Sequence, residues 1–424
     1  MRILTATEFL RQRSTIDPVS ARPEVRDAVE RIVGSVKRDG DSALRQLTET
    51  FDGVKLKEFK VPKTALEKAW KRTPAALQKA LQAAAKNIRT YQMSLKPGKK
   101  SDVSPRPGVK ITTEWRPLPA VACYAPGGRA IYPSTVLMMC VTAKVAGVDK
   151  VLLTSPPARD GLPAQPILAA AHIAGVDEVY ALGGAQAVAA FAIGTASIPR
   201  VPKIVGPGNA YVAEAKRQLF GTIGIESVAG PTELAIFADE TADPALVAVD
   251  LAAQAEHDPD ARTLLVVPHV DQARAIQQAA EELVRGAARN AILQTSLLEQ
   301  GLIVVAPSDA EIVACLDAYA PEHVELLCKK PERLSNQLRA AGTIFLGLGT
   351  PAPLGDYTTG ANHVLPTGRS ARFASPLSVY DFMRMVVTQK VDGKGLADIG
   401  PSAIEIAKAE GLSMHAEAVR RRLK

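Results

Sequence analysis

Residues 150–194 read KVLLTSPPARDGLPAQPILAAAHIAGVDEVYALGGAQAVAAFAIG. Two short apolar runs, KVLLTS and DEVYAL, have the length of buried strands. Between and after them lie QPILAAAHIAG and AQAVAAFAIG, apolar at helical spacing and rich in alanine. The order continues with KIVGPGN, a strand and a glycine turn, and AYVAEAKRQLFG, a helix. Strand and helix in strict alternation imply a parallel sheet covered on both faces. A second series follows from GPTELAIFAD through ALVAVDLAAQAEH, TLLVVPH and VDQARAIQQAAEELVRG to GLIVVAPS. It reads as strand, helix, strand, helix, strand, and implies a second sheet.

The flanks have another character. PEVRDAVERIVGSVKRDGDSALRQLTETF and TALEKAWKRTPAALQKALQAAAKNIRTYQMSL carry helical periodicity. LKEFKV and VKITTEWRPL alternate like strands. Beyond about residue 377 the text predicts helices, LSVYDFMRMVVTQ and then SAIEIAKAEGLSMHAEAVRRRL. There is no short internal repeat.

The chain has 424 residues, enough for two or three domains of about 100–200 residues. Aromatic residues are only 4% of the total, and small Ala and Val dominate, which favours helix-on-sheet packing over stacking surfaces. The net charge of +7 is diffuse, without basic runs interleaved with aromatics, so nucleic acid is not expected as a partner. An anionic metabolite or cofactor suits such a field better. Cys123, Cys140, Cys315 and Cys328 form no CxxC pair, as expected in a reducing compartment. The opening MRILTATEFLRQRS lacks the apolar core of a signal peptide, and no apolar run reaches the ~18 residues of a membrane helix. A soluble cytoplasmic protein with no membrane partner is expected.

Three glycine turns, CYAPGGRA (123–130), LGGAQAVAA (182–190) and GPGNAYVAEAK (206–216), fall where strands should end and helices begin. Backbone N–H groups there can approach phosphate. None is a full GxGxxG fingerprint. Tyr124, Gln186 and Asn209 lie in these turns and could bracket a nucleotide by stacking and amide hydrogen bonds. QAEH puts Gln254 and His257 on one helical face. PEHVELL sets Glu322 beside His323, PLGDYTTGANHVLPT holds Asp356 and His363, and EGLSMH holds Glu410 and His415. Each of these histidines taken alone is compatible with a structural role, as His172 and His269 are expected to be. Together a Gln, two His and an Asp form a mixed N/O set of the kind that binds zinc, or manganese or cobalt, with positions left for substrate. Cys123 has no neighbouring histidine, and an inert buried residue is favoured over a reactive thiolate.

The ordered set CYAPGG, STVLM, GGAQA, GPGNAYVAEAKRQ, AGPTE, QAEHDPD, PEH, GDYTTGANHVLPT and LSMH resembles the histidinol dehydrogenases over most of the chain. The resemblance implies an α/β fold of two Rossmann-like, incompletely doubly wound parallel-sheet domains in an intertwined homodimer. The expected partition is an N-terminal arm (1–20) and a first α/β domain formed by 21–122 with 232–376. A second, NAD-side domain (123–231) and a helical tail (377–424) reaching the partner complete it. The implied activity is oxidation of L-histidinol to L-histidine through L-histidinal, with one zinc per subunit and two NAD⁺ per turnover. Zinc would be held by Gln254, His257, Asp356 and, from the partner's tail, His415. Glu322 and His323 would be the catalytic pair. Tyr124, Gln186 and Asn209 match NAD contacts. Thr232, Gln254, His257, His323, Asp356, Glu410 and His415 match substrate contacts. Threonine stands at 232 where serine is typical. Competing expectations are a zinc hydrolase, a non-catalytic binding protein, and an aldehyde dehydrogenase acting through Cys123.

Overall fold

The computed structural model describes residues 1–13, 22–127 and 131–423. Two parallel sheets carry the α/β character. The first has six strands in the order Arg2–Thr5, Leu302–Val305, Arg262–Val267, Glu233–Ala238, His323–Leu327 and Thr343–Leu346, all parallel. The chain starts its second series at the centre, on Glu233–Ala238. It works outward through Arg262–Val267 and Leu302–Val305, then returns to the other side of the centre at His323–Leu327. Glu233–Ala238 and His323–Leu327 are therefore neighbours from which the chain diverges. The second sheet has the order Lys60–Val61, Glu178–Ala181, Lys150–Ser155, Ala120–Tyr124 and Ile204–Val205, parallel except for the short Lys60–Val61 edge.

Side chains alternate across each strand, so a strand apolar at every position must be covered on both faces. In Ala120–Tyr124, Val121 and Cys123 enter one core cluster while Ala122 and Tyr124 enter the other. In Arg262–Val267, Leu265 and Val267 face one cluster while Leu264 and Val266 face the opposite one. The Ala-rich helix Gly184–Ile193 is apolar all round and buried nearly all round, as such a helix must be.

The expected partition requires correction. Residues 21–122 pack chiefly on the five-stranded sheet and meet 232–376 at contacts such as the Asn87 amide on the Thr358 carbonyl. Val29, Ile32, Val36 and Leu44 pack into the core on one face of the five-stranded sheet; Leu66, Leu81 and Ile88 pack on its other face. A five-stranded sheet has two faces to cover, and its own crossover helices leave room that the N-terminal helices fill. The boundary placed at 123 cuts the strand Ala120–Tyr124. Residues 1–13 are not a free arm: Arg2–Thr5 is an edge strand of the six-stranded sheet and Phe9 lies in its core. Residues 14–20 lie outside the described residues.

The tail is not wholly helical. Val379–Phe382 is a single 3₁₀ turn, and Met383–Val391 is a strand pairing antiparallel with Val109–Pro117, which pairs in turn with Lys100–Arg106. Val386, Val387 and Thr388 are β-branched and suit a strand, and pairing with Val109–Pro117 outweighs the helical spacing of their apolar neighbours. Helices Gly393–Ala409 and Ser413–Arg420 follow and pack chiefly on each other.

Candidate active site

The two central strands of the six-stranded sheet begin at the site. Thr232 stands just before Glu233–Ala238 and Glu322 just before His323–Leu327, with His323 in register opposite Leu234. Glu322 Oε2 accepts hydrogen bonds from the Thr232 hydroxyl (2.6 Å) and the Glu233 N–H (3.1 Å). The Gln254 amide donates to the Thr232 oxygen. His323 is 4% exposed; its Nδ1 lies 3.8 Å from Glu322 Oε2 and its Nε2 3.6 Å from Asp356 Oδ1. At 3.8 Å the two adjacent side chains are an ion-pair contact and not a hydrogen-bonded relay.

Burial sets the electrostatics. It pushes the Glu322 carboxyl upward, against the opposing pull of His323 and the two hydrogen bonds. Burial alone would lower His323, but the carboxylates of Glu322 and Asp356 outweigh it and raise the imidazole to about 9. Burial likewise works to raise Asp356, and the hydrogen-bonding and charge of His323, with the charges of His363 and His257, hold it below its ordinary value.

Gln254 lies in the last turn of helix Pro244–Ala255 and is buried; His257 lies just past that helix in a turn, and Glu256 is exposed. Asp356 is carried by the short helix Ala352–Tyr357. His363, left without a role by the sequence, fixes Asp356 from behind. Its Nδ1 is 2.8 Å from the Asp356 carbonyl and its Nε2 2.9 Å from the Thr135 hydroxyl, on the helix that follows strand Ala120–Tyr124. The imidazole therefore joins the two sheet units at the site.

Sequence reasoning missed Glu325 and Asp250. Glu325 is fully buried two residues beyond His323, and its Oε1 accepts the Ala352 N–H at 2.6 Å, at the start of the helix that presents Asp356. Burial first, then the charge of Asp250, pushes it up to about 8; burial pushes Asp250 to about 6. The available signal was a carboxylate inside each of two otherwise apolar runs, HVELL and LVAVDLAA.

Tyr124 is the last residue of a strand of the five-stranded sheet, and Gln186 and Asn209 lie past the carboxyl ends of others. The Tyr124 hydroxyl accepts the Gly184 N–H at 3.1 Å, two residues before Gln186, whose buried Oε1 has no partner. Asn209 caps helix Ala210–Leu219 through the N–H groups of Tyr211 and Val212. Tyr124 is 3% exposed, so its ring offers no stacking face, contrary to expectation. Residues 128–130 of the first glycine turn lie outside the described residues.

Glu410 and His415 are not brought to this cluster within one chain. Both are exposed, on or between the two tail helices. Among the described residues no three His, Cys, Asp or Glu side chains of one chain are grouped to hold a metal ion. The donor chemistry of Gln254, His257 and Asp356 nonetheless fits one. The Gln254 N–H₂ is spent on Thr232, which leaves its carbonyl oxygen free to donate to a cation; His257 would add an imidazole nitrogen, and Asp356 a carboxylate held below its ordinary value. Cys123 is wholly buried, and burial raises its thiol well above the ordinary value. It offers no accessible thiolate, which removes the aldehyde dehydrogenase reading.

The fold is an α/β architecture with a buried carboxylate–imidazole cluster at the strand starts of its six-stranded parallel sheet. Residues 17–423 match the family model for histidinol dehydrogenase. The chain is 42% identical to the histidinol dehydrogenase of Methanothermobacter thermautotrophicus over the whole of both chains. It is 45% identical to that of Caulobacter vibrioides over 93% of this chain and 91% of the relative. The crystal structure of histidinol dehydrogenase from Elizabethkingia anophelis superposes with a TM-score of 0.93 at 33% identity, covering 100% of this chain and 97% of the other. The chain belongs to the histidinol dehydrogenase family, and is an oxidoreductase of histidine biosynthesis.

Proposed function

We propose that this protein oxidises L-histidinol to L-histidine through L-histidinal, with one zinc ion per subunit and two NAD⁺ per turnover, in a cytoplasmic homodimer whose sites are shared. The observation that carries the reading is the Thr232–Glu322–His323–Asp356 cluster, an acid–base group already built at the starts of two neighbouring strands.

Zinc, when bound by Gln254, His257 and Asp356 with His415 of a second copy, supplies a chelating point for the amine and imidazole of histidinol, and NAD⁺ supplies the hydride acceptor. His323 Nε2 faces Asp356 and Nδ1 has no hydrogen-bond partner; with the imidazole raised to about 9, it is the neutral form, growing as pH rises toward 9, whose Nδ1 takes the hydroxyl proton of histidinol as hydride leaves the carbinol carbon. Glu322, its carboxyl raised by burial, removes a proton from the water that adds to the aldehyde. His323 then accepts a hydroxyl proton of the hydrate as the second hydride leaves. Thr232 orients Glu322 throughout. On the cofactor side Gln186 offers an unpartnered oxygen and Asn209 caps its helix, while buried Tyr124 braces the Gly184 N–H from behind.

The exposed tail supports the shared site. Met385, Val387, Ile406, Leu412 and Met414 leave apolar surface uncovered on the strand and helices that carry Glu410 and His415. A second copy would cover this surface and bring both residues to substrate. The four cysteines are all free and buried, in keeping with a reducing compartment. No helix of the described residues is long and apolar enough to cross a membrane.

The test is direct. Purified protein with L-histidinol and NAD⁺ should form NADH with histidine as product, two equivalents per histidinol consumed. Absence of NADH with zinc-loaded protein contradicts the reading.

A further inference from the structure

Helix Ala210–Leu219 contains a lysine that never reaches water. Lys216 is 1% exposed, and its Nζ donates to the Gly206 carbonyl at 2.8 Å and to Glu226 Oε1 at 2.6 Å. Glu226 Oε1 also accepts the Gly206 N–H at 2.7 Å. Both backbone polar groups of Gly206 are therefore taken by one buried ion pair. Side chains of a helix lean toward its N-terminus, and this lets Lys216 reach back beneath the turn that opens its own helix.

Gly206 holds a positive φ of 124°, and a Cβ there would lie 2.1 Å from the Tyr124 carbonyl oxygen. The turn is pressed against the end of strand Ala120–Tyr124, with no slack. Three residues later comes Asn209, the helix cap. Six residues beyond Glu226 the connecting chain reaches Thr232, which holds Glu322. Burying two charges is costly unless both are well partnered, so the pair is poor ground for stability alone. Its geometry converges on one glycine between two residues of the cofactor side.

We infer that Lys216 and Glu226 are positioning residues for the dinucleotide: their ion pair clamps Gly206 and so fixes Asn209 relative to Tyr124. The inference rests on the NAD⁺ reading above. Neither residue touches the reacting atoms.

The experiment measures NAD⁺ binding to the zinc-loaded protein by calorimetry, beside the steady-state KM for NAD⁺ and for histidinol. Lys216→Met leaves Glu226 buried without its partner, so the double variant Lys216→Met with Glu226→Gln is made as well, to remove both charges. The clamp predicts that Kd and KM for NAD⁺ rise about tenfold or more in both variants, while KM for histidinol stays within about twofold. The double variant should regain thermal stability lost by Lys216→Met without regaining NAD⁺ affinity, a split that a purely structural role would not give. A folded variant with wild-type NAD⁺ affinity overturns the clamp alone. A wild-type protein that binds no NAD⁺ overturns the functional reading and the clamp with it.

Discussion

The Thr232 hydroxyl donates a 2.6 Å hydrogen bond to Glu322 Oε2 across the starts of two adjacent parallel strands. A donor to the carboxylate favours its charged form and works against the burial that raises it. Thr232→Ser keeps the donor and should leave kcat/KM within about threefold. Thr232→Val removes it at nearly constant volume, and a lost bond to a charged group is worth about 1.5–3 kcal/mol, or roughly 10–100-fold in kcat/KM. Steady-state rates across pH check this, since the Glu322 limb should also move to higher pH in the valine variant. An unmoved limb would detach Thr232 from Glu322.

Glu322 and His323 divide the two oxidations between them in this account. His323→Ala should slow both histidinol and histidinal turnover by about 10²–10⁴-fold, the usual worth of a general base. Glu322→Gln should slow histidinal turnover far more than the first hydride transfer. Stopped-flow NADH traces with each substrate separate the steps. Equal losses on both substrates in the Glu322 variant would remove water activation as its role.

Glu325 supports Asp356 through the Ala352 N–H at 2.6 Å. Burial and the charge of Asp250 raise its carboxyl to about 8, which favours the neutral form at neutral pH. Glu325→Gln, still an acceptor and also neutral, should retain kcat/KM within about threefold. Glu325→Leu strands the Ala352 N–H at a cost of about 1–3 kcal/mol and frees the helix that carries Asp356. We expect at least a tenfold loss of kcat/KM, with weaker zinc retention in a chelator competition. Equal behaviour of the two variants would make Glu325 mere filling.

Asp52 ends helix Asp41–Asp52 with one carboxylate oxygen buried and unpartnered, and burial lifts its carboxyl to about 6. The unfolded value is about 3.9, so the folded chain binds this proton more tightly. Stability from this group is whole below about pH 4 and is lost as pH rises toward 6. Asp52→Asn should therefore raise Tm near neutrality, with the gain shrinking toward zero at about pH 4. Calorimetric scans at both pH values decide; a gain independent of pH would assign the effect to packing.

Much of this was legible in the residues. The runs around 150–194 gave away the parallel sheet because a strand covered on both faces must be apolar throughout, as Val151, Leu152 and Leu153 are. Glu322, His323 and Asp356 stood out as polar residues at segment ends, and the fold places them together. The partition failed at 21–122 because helical periodicity says that a face is buried and not against which sheet. Leu44 and Leu66 look alike in sequence and cover opposite faces. Strand Met383–Val391 carries only the β-branched Val386, Val387 and Thr388 as a local sign, and its partner, Val109–Pro117, lies more than 250 residues away, so the sequence does not say what it pairs with. Nor does sequence reveal which strand ends carry chemistry. Tyr124 and Asn209 lie at and past carboxyl ends of one sheet, while Thr232 and Glu322 lie before amino ends of the other.

The central claim is that one chain lacks a complete site, since His415 is exposed on the tail while Gln254 and Asp356 are gathered near His323. Asp356→Ala and His415→Ala proteins, each inactive alone, should be unfolded together, refolded as a mixture and assayed for histidinol-dependent NADH. If the tail serves the partner's site, half of the dimers are mixed and each has one intact site, so about a quarter of wild-type activity returns. No recovery, with mixed dimers shown to be present, would mean that every site is built within its own chain and would contradict the account.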